Sequence, residues 1–486
     1  MANDKKNHKT LNMSRFLLRA AIAGVLFPFF VPAGAAAEAQ EPALTVVTVN
    51  SHCDWAWIHT RAWHEARYAE AIRSYLMIMR EYPNYVCQME TVNEQILPFL
   101  AKARRDWPGL EEEFWQRVRE RRIEIIVGYS NPRISEIYPE TFIRNLVLGK
   151  EYFRSQAPGL QQKVYSTIDV MSGHSQMPQL LSQADYPYYE FQRKDGPQRV
   201  FWYKGLDGTR MLYSRNFSIA GNPELAPPPQ EFNQVIDGIQ PVPVWRVGLG
   251  MDDAMPSVEV AKLAATWDPK KKILGTMARY FEECEKYGGQ LSELEGPLDS
   301  LCYFANAGAY GNYNIYTQNN RNEDLLLMLE KAQAMAALQG RPFVEEPVQP
   351  LWQDLLSCSG HAIDWLFRED YEERMSLIDN TAARAKRFLE EALSSISCAI
   401  PFAKQAGTPL LVFNFQSWPV SGPVEFYVDE KVDNLILTDT NGNKVPMQFI
   451  QYEPASGNCL SFLAEQVPAC GYQSFYLRQG EENSVT

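Results

Sequence analysis

The spacing of apolar residues changes twice along the chain. From Thr45 to about Gly250, short apolar runs alternate with longer stretches of helical period. Thr45-Val-Val-Thr-Val is a run of β-branched residues, the pattern of a strand buried on both faces. Helical spacing follows over Arg61–Tyr82, then a strand over Tyr85–Met89, helices over Asn93–Ala103 and Gly109–Arg121, and a strand over Ile123–Tyr129. A helix over Phe142–Gln156, a strand over Lys163–Asp169, a short helix over Met177–Ala184 and strands over Tyr188–Gln192, Arg210–Ser214 and Val244–Leu249 continue the series. Such alternation implies βαβ units around a parallel sheet, for which a closed barrel is the usual solution. Between Arg321 and about Phe402 only helical periodicity appears, which predicts a bundle. From Pro409 short alternating strands return, with Asp439-Thr-Asn-Gly-Asn443 as a hairpin turn. The expected class is α/β: a signal peptide over 1–39, an irregular (β/α)7-type barrel over 40–320, a helical bundle over 321–404 and a small antiparallel, β-sandwich-like domain over 405–486.

Composition narrows the partners. The 486 residues carry a net charge of −13 with no basic run beyond the N-terminus, which argues against nucleic acid and anionic membranes. A basic stretch (Lys5, Lys6, Lys9, Arg15, Arg19), an apolar run from Ala20 to Val31 and Ala37-Glu-Ala39 together read as a secretory signal cleaved before Gln40. Its removal takes away five Lys/Arg and two Asp/Glu and moves the charge to −16. Export to the periplasm or the medium is expected, with no membrane span once the signal is gone. Export permits disulfides, and Cys459 with Cys470 is a plausible local pair, as are free thiols.

Candidate chemistry sits at strand ends, where barrel active sites collect. His52 and Asp54 leave the first strand two positions apart, so their side chains emerge on one side while Cys53 points the other way. A His and an Asp placed so suggest two ligands of one metal. The fourth strand ends at Asp169, followed by Val-Met-Ser-Gly173-His174-Ser175, and the strand through Val247 runs into Gly250-Met-Asp252-Asp253. Each has a plainer reading as a capping or turn residue. His361, in Gly360-His-Ala-Ile-Asp364 of the helical region, reads by itself as a hydrogen-bonded core histidine.

Taken in series, these segments resemble glycoside hydrolase family 38, the retaining α-mannosidases. His52-Cys-Asp54-Trp-Ala-Trp57 is similar to the family's zinc-binding opening, and Ile168-Asp169-Val-Met-Ser-Gly-His-Ser175 to its nucleophile segment. Phe191-Gln-Arg193, Phe201-Trp-Tyr-Lys-Gly-Leu-Asp-Gly208, Met251-Asp252-Asp253, Ala309-Tyr310-Gly311, Tyr316-Thr-Gln and Asn320-Arg321-Asn-Glu323 follow in the family's order, so the resemblance runs from about 45 to 478. It implies one Zn²⁺ per chain held by His52, Asp54, Asp169 and His361, with Asp169 also the nucleophile. It implies Asp253 as acid and then base, Asp252 orienting substrate, Trp57 as the floor under the sugar and Arg193 as a charge beside the carboxylates. Of the paired aspartates, either could be the acid. The implied partner is an oligosaccharide or glycan; self-association stays open.

Three features depart from the family. Val127-Gly128-Tyr129-Ser130-Asn131 replaces a Gly-Gly-Trp type segment, Asn320 stands where Lys is frequent, and a larger C-terminal β region is expected where this sequence has one small β domain. Two other readings stay open: a glycan-binding homologue with impaired catalysis, and a zinc-dependent polysaccharide deacetylase, which would need a Thr-Phe-Asp-Asp-Gly-like segment that the sequence lacks.

Overall fold

The computed structural model describes residues 41–480, apart from 171–172, 193–198, 216–229, 251, 297–312, 341–347, 362–366, 404–405, 429–433 and 454–456. The expected signal segment 1–39, Arg193, Met251 and the Ala309-Tyr310-Gly311 passage lie outside the described residues.

The first strand is β1 (Leu44–Val49), and the helix after it is α1 (Arg61–Glu81). Next come β2 (Cys87–Met89), one π-helical turn at Val92–Ile96, α2 (Leu97–Asp106), α3 (Leu110–Arg119), β3 (Ile123–Ile125), α4 (Pro139–Gln156) and β4 (Val164–Thr167). They are followed by α5 (Met177–Gln183), β5 (Tyr188–Phe191), β6 (Arg199–Lys204), β7 (Arg210–Arg215), β8 (Val244–Leu249), α6 (Val258–Ala264), β9 (Lys272–Leu274), α7 (Met277–Glu285) and β10 (Glu293–Glu295). Three helices then run without a strand: α8 (Tyr313–Leu338), α9 (Val348–Ser357) and α10 (Arg368–Ser397). The helical stretch thus begins before Arg321.

β1 lies between β8 and β9, parallel to both, with Leu44 opposite Val244 and Val49 opposite Leu249. β2 pairs with β3, and β4, β5 and β7 form a further parallel set. Among the described residues these ladders are three sheets rather than one continuous ring. β6, which apolar spacing did not mark as a strand, folds back antiparallel on β7 because only five residues, turning at Gly208, separate them. Alternate residues of β1 serve two cores: Val46 packs among β4, β5, β7 and α7, whereas Val47 and Val49 pack against α1 and α2. Across the interior, Arg246 on β8 pairs with Glu190 on β5 at 2.5 Å and donates to Thr48 on β1 at 2.9 Å, while Ser166 on β4 donates to the same carboxylate at 2.7 Å. One buried ion pair therefore ties four strands.

The C-terminal strands are β11 (Thr408–Asn414), β12 (Val420–Val428), β13 (Leu435–Asp439), β14 (Lys444–Val445), β15 (Met447–Glu453), β16 (Gly457–Val467) and β17 (Gly471–Gln479). They form two antiparallel sheets, β11-β17-β13-β14 and β12-β16-β15, which share one core around Leu437, Leu460, Phe462 and Phe475. The Asp439–Asn443 turn joins β13 to β14, with Asp439 Oδ1 accepting from Asn441 N and Asn443 N. Cys459 is buried on β16 and Cys470 exposed in the β16–β17 turn, each a free thiol, so the local disulfide does not form. No helix of the described residues is long and apolar enough to cross a membrane.

Candidate metal centre and active site

β1 and β8 stay in register beyond their last ladder residues, and this is what delivers the first two candidate segments to one place. His52 faces Asp252 across a parallel bridge, and Asp253 N donates to His52 O at 3.1 Å. The close approach depends on Gly250: its φ is 137°, and a Cβ there would stand 1.7 Å from Asn50 O.

His52, Asp54, Asp169 and His361 come together with one ligand atom from each within 4.8 Å of the others. His52 Nε2 lies 3.1 Å from His361 Nε2, and Asp54 Oδ1 lies 3.7 Å and 3.4 Å from the two. The expectation that His52 and Asp54 share a side of the extended chain is met. Asp169, just beyond β4, has a left-handed backbone (φ 58°) whose N–H donates to Gln192 Oε1 beyond β5 at 3.1 Å. His361 sits between α9 and α10. Its N–H donates to Asn131 O at 2.8 Å, Gly360 bridges Pro132, and Tyr316 on α8 donates to Gly360 O at 3.2 Å. The Val127–Asn131 segment and Pro132 after it are thus what seat the last histidine.

Several supporting residues escaped sequence reading. Glu90, fully buried beyond β2, takes His52 Nδ1 at 3.0 Å, Asn50 Nδ2 at 2.7 Å and Cys53 N at 3.2 Å. Asn131 Nδ2 lies 3.2 Å from His361 Nδ1 while donating to Ile168 O at 2.8 Å. Burial opposes charge on His52, but Glu90 outweighs it and lifts the pKa to about 10. Burial would likewise raise Asp54, yet His361 and His52 hold its carboxyl down to about 2. Two imidazoles and two carboxylates, three of them buried and Asp169 half-buried, with His52 Nδ1 against the Glu90 carboxylate so that its Nε2 faces the cluster, suit a tetrahedral divalent cation such as Zn²⁺. The sequence cue for Glu90 was an acidic residue directly after the Tyr85–Met89 strand.

The paired aspartates have different surroundings. Asp252 is exposed, and its charge reaches His52. Asp253 is buried with a left-handed backbone (φ 56°), and its Oδ1 meets Tyr68 OH at 2.7 Å and His64 Nδ1 at 2.9 Å. His64 Nε2 faces the Trp57 carbonyl at 2.8 Å, which only accepts, so that nitrogen carries a proton. Tyr68 likewise faces the Asp54 carbonyl at 2.8 Å. The contact between His64 Nδ1 and Asp253 Oδ1 therefore holds a single proton, on one or the other. Burial lowers the His64 pKa, but the bond to Asp253 overrides it and the pKa is raised. Trp57 is half-buried in the same loop. A separate cavity of about 620 Å³, lined by Ile123, Glu124, Lys163 and Thr276, shares none of these residues.

A profile described as the "Glycosyl hydrolases family 38 N-terminal domain" matches residues 43–296, a little over half of the chain. The structure is similar to an alpha-mannosidase from Enterococcus faecalis V583, with a TM-score of 0.72 over 91% of this chain at 16% identity. It is also similar to a protein in the Glycosyl Hydrolase Family 38 from Enterococcus faecalis, with a TM-score of 0.65 over 92% of this chain at 16% identity. At that identity the likeness speaks to the α/β fold. This chain spans 57% and 55% of the lengths of those two proteins. No curated protein sequence matches it.

Proposed function

The chain belongs to glycosyl hydrolase family 38, and on that premise we propose that it is an exported, retaining, zinc-dependent α-mannosidase-type hydrolase of mannose-containing glycans. The convergence of His52, Asp54, Asp169 and His361 carries this reading. On the same reading the parallel strands of the three sheets are the wall of an irregular barrel with the site at the strand ends. The four residues would hold one Zn²⁺, which when bound supplies a Lewis acid for sugar hydroxyls and keeps Asp169 ionised.

Asp169 attacks the anomeric carbon while the glycosidic C–O bond breaks, and the leaving oxygen takes a proton from Asp253. The Asp253 carboxylate then removes a proton from a water molecule, whose oxygen displaces Asp169 from the sugar. The bonds from Tyr68 and to His64 hold the Asp253 carboxyl in one place through both halves, and the proton it gives in the first is regained from water in the second. Asp252, exposed beside His52, orients the sugar; Trp57 lies beneath it.

Hydrolysis of an aryl α-mannoside with zinc present, beside an Asp169→Asn variant, tests the reading. Turnover that falls at least about a thousandfold in the variant and disappears on chelation supports it. One zinc bound per chain with no turnover would move the glycan-binding alternative ahead.

A further inference from the structure

We infer that Arg67 is a positioning residue for the proposed acid: by holding the Asp253 carbonyl it fixes the direction in which the Asp253 carboxyl meets the glycosidic oxygen. The inference rests on the mannosidase reading above and adds a residue outside the metal ligands and the paired aspartates.

Asp253 lies beyond β8 with a left-handed backbone, φ 56°. An aspartate tolerates that region better than most residues but does not favour it, so its surroundings must hold it there. Two bonds do so. Asp253 N donates to His52 O at 3.1 Å, and Arg67 Nε donates to Asp253 O at 2.9 Å. The backbone on both sides of the Asp253 Cα is therefore tied, on one side to the segment of a candidate metal ligand and on the other to α1. With φ and ψ held, only a few staggered χ1 positions stay open, and these set where the carboxyl points.

His64, Arg67 and Tyr68 stand at i, i+3 and i+4 on α1, so one face of this helix carries all three contacts to Asp253. They do different work. His64 and Tyr68 are buried and meet the carboxyl itself, so a change in either alters its proton as well as its place. Arg67 is half-buried and bonds to the carbonyl, while its guanidinium lies 5.8 Å from the Trp63 ring centroid, a cation–π contact that steadies it. Loss of the guanidinium therefore frees the backbone and leaves both partners of the carboxyl present. The consequence is confined to proton delivery. An ordinary phenolate leaves the sugar only with a proton from the acid, whereas a dinitrophenolate leaves without one. A carboxyl turned away from the glycosidic oxygen slows the first kind of substrate and spares the second.

The test compares 4-methoxyphenyl α-mannoside with 2,4-dinitrophenyl α-mannoside. Zinc-loaded parent, Arg67→Met, which keeps the stem and loses the donor, and Arg67→Lys, which returns a donor, are assayed on both. In Arg67→Met, kcat/KM should fall about tenfold on the methoxyphenyl glycoside and stay within about twofold on the dinitrophenyl one; Arg67→Lys should recover most of the loss. Amide exchange of the peptide that spans Asp253, read without metal or substrate, should be faster in Arg67→Met and close to the parent in Arg67→Lys. An equal fall on both substrates, no fall on either, or unchanged exchange overturns the positioning role while leaving the mannosidase reading intact. No turnover of either substrate by the parent chain overturns that reading, and the role with it.

Discussion

Glu90 is fully buried and accepts hydrogen bonds from Asn50 Nδ2, Cys53 N and His52 Nδ1, so one carboxylate fixes the backbone and the ring of a candidate metal ligand together. An acceptor at Nδ1 fixes that nitrogen as the donor and leaves the Nε2 lone pair facing Asp54 and His361. Glu90→Gln keeps the shape but offers the imidazole a weaker, neutral partner. Zinc affinity is expected to drop about 10- to 100-fold, read by competition against a chromophoric chelator; unchanged affinity would show that His52 is oriented by packing alone. The same scale explains why the two aspartates are not interchangeable. Adjacent in sequence, they face opposite surroundings, Asp252 toward solvent and Asp253 into Tyr68 and His64.

Among the elements, α7 shows how a strand-borne charge is managed. Glu124, beside the 620 Å³ cavity, accepts from Met277 N at 2.7 Å and Ala278 N at 3.1 Å at that helix's start, with Thr276 capping Arg279 N. Burial still dominates and pushes the Glu124 pKa from 4.5 up to about 7. The folded state therefore holds this proton more tightly than the unfolded chain. Its contribution is fully present below about pH 4.5 and is lost as pH rises through about 7. Urea unfolding of Glu124→Gln against the parent should show little difference near pH 4.5 and a relative gain for the variant of up to about 3 kcal/mol at pH 8. A constant difference across that range would place the carboxylate in contact with solvent.

For the whole molecule, the proposed metal is a cross-link of long reach: His361 lies between α9 and α10, while His52, Asp54 and Asp169 follow β1 and β4. A ligand that binds only the folded chain stabilises it by about 2.7 kcal/mol at a hundred times its Kd. Zinc should therefore raise the thermal midpoint of the parent chain, and His361→Ala should lose most of that rise while keeping its metal-free midpoint within a few degrees. An equal zinc response in both chains would put the cation elsewhere. With a net charge of −13, the chain also repels itself, and a bound dication offsets part of that charge.

Much of this was legible from residue order alone. Continuous apolar runs located β1 and β8, because burial on both faces leaves no polar positions, while period-3.6 and period-2 spacing located α1, α4 and the strands after Pro409, because burial on one face imposes that spacing directly. The i, i+2 placement of His52 and Asp54 followed from extended geometry. Hairpin return of β6, the three-residue β9 and the eleven-residue β16 were not legible: too short a run, or adjacent apolars such as Phe462-Leu463, leaves no clean period. Tertiary structure alone decided the partners. That Glu90 braces His52, that Asn131 seats His361 and that His64 and Tyr68 take Asp253 rather than Asp252 are contacts between residues far apart in sequence. Local spacing carries no information about such pairs; only the register of β1 on β8 and the packing of α1 over it bring them within hydrogen-bond distance.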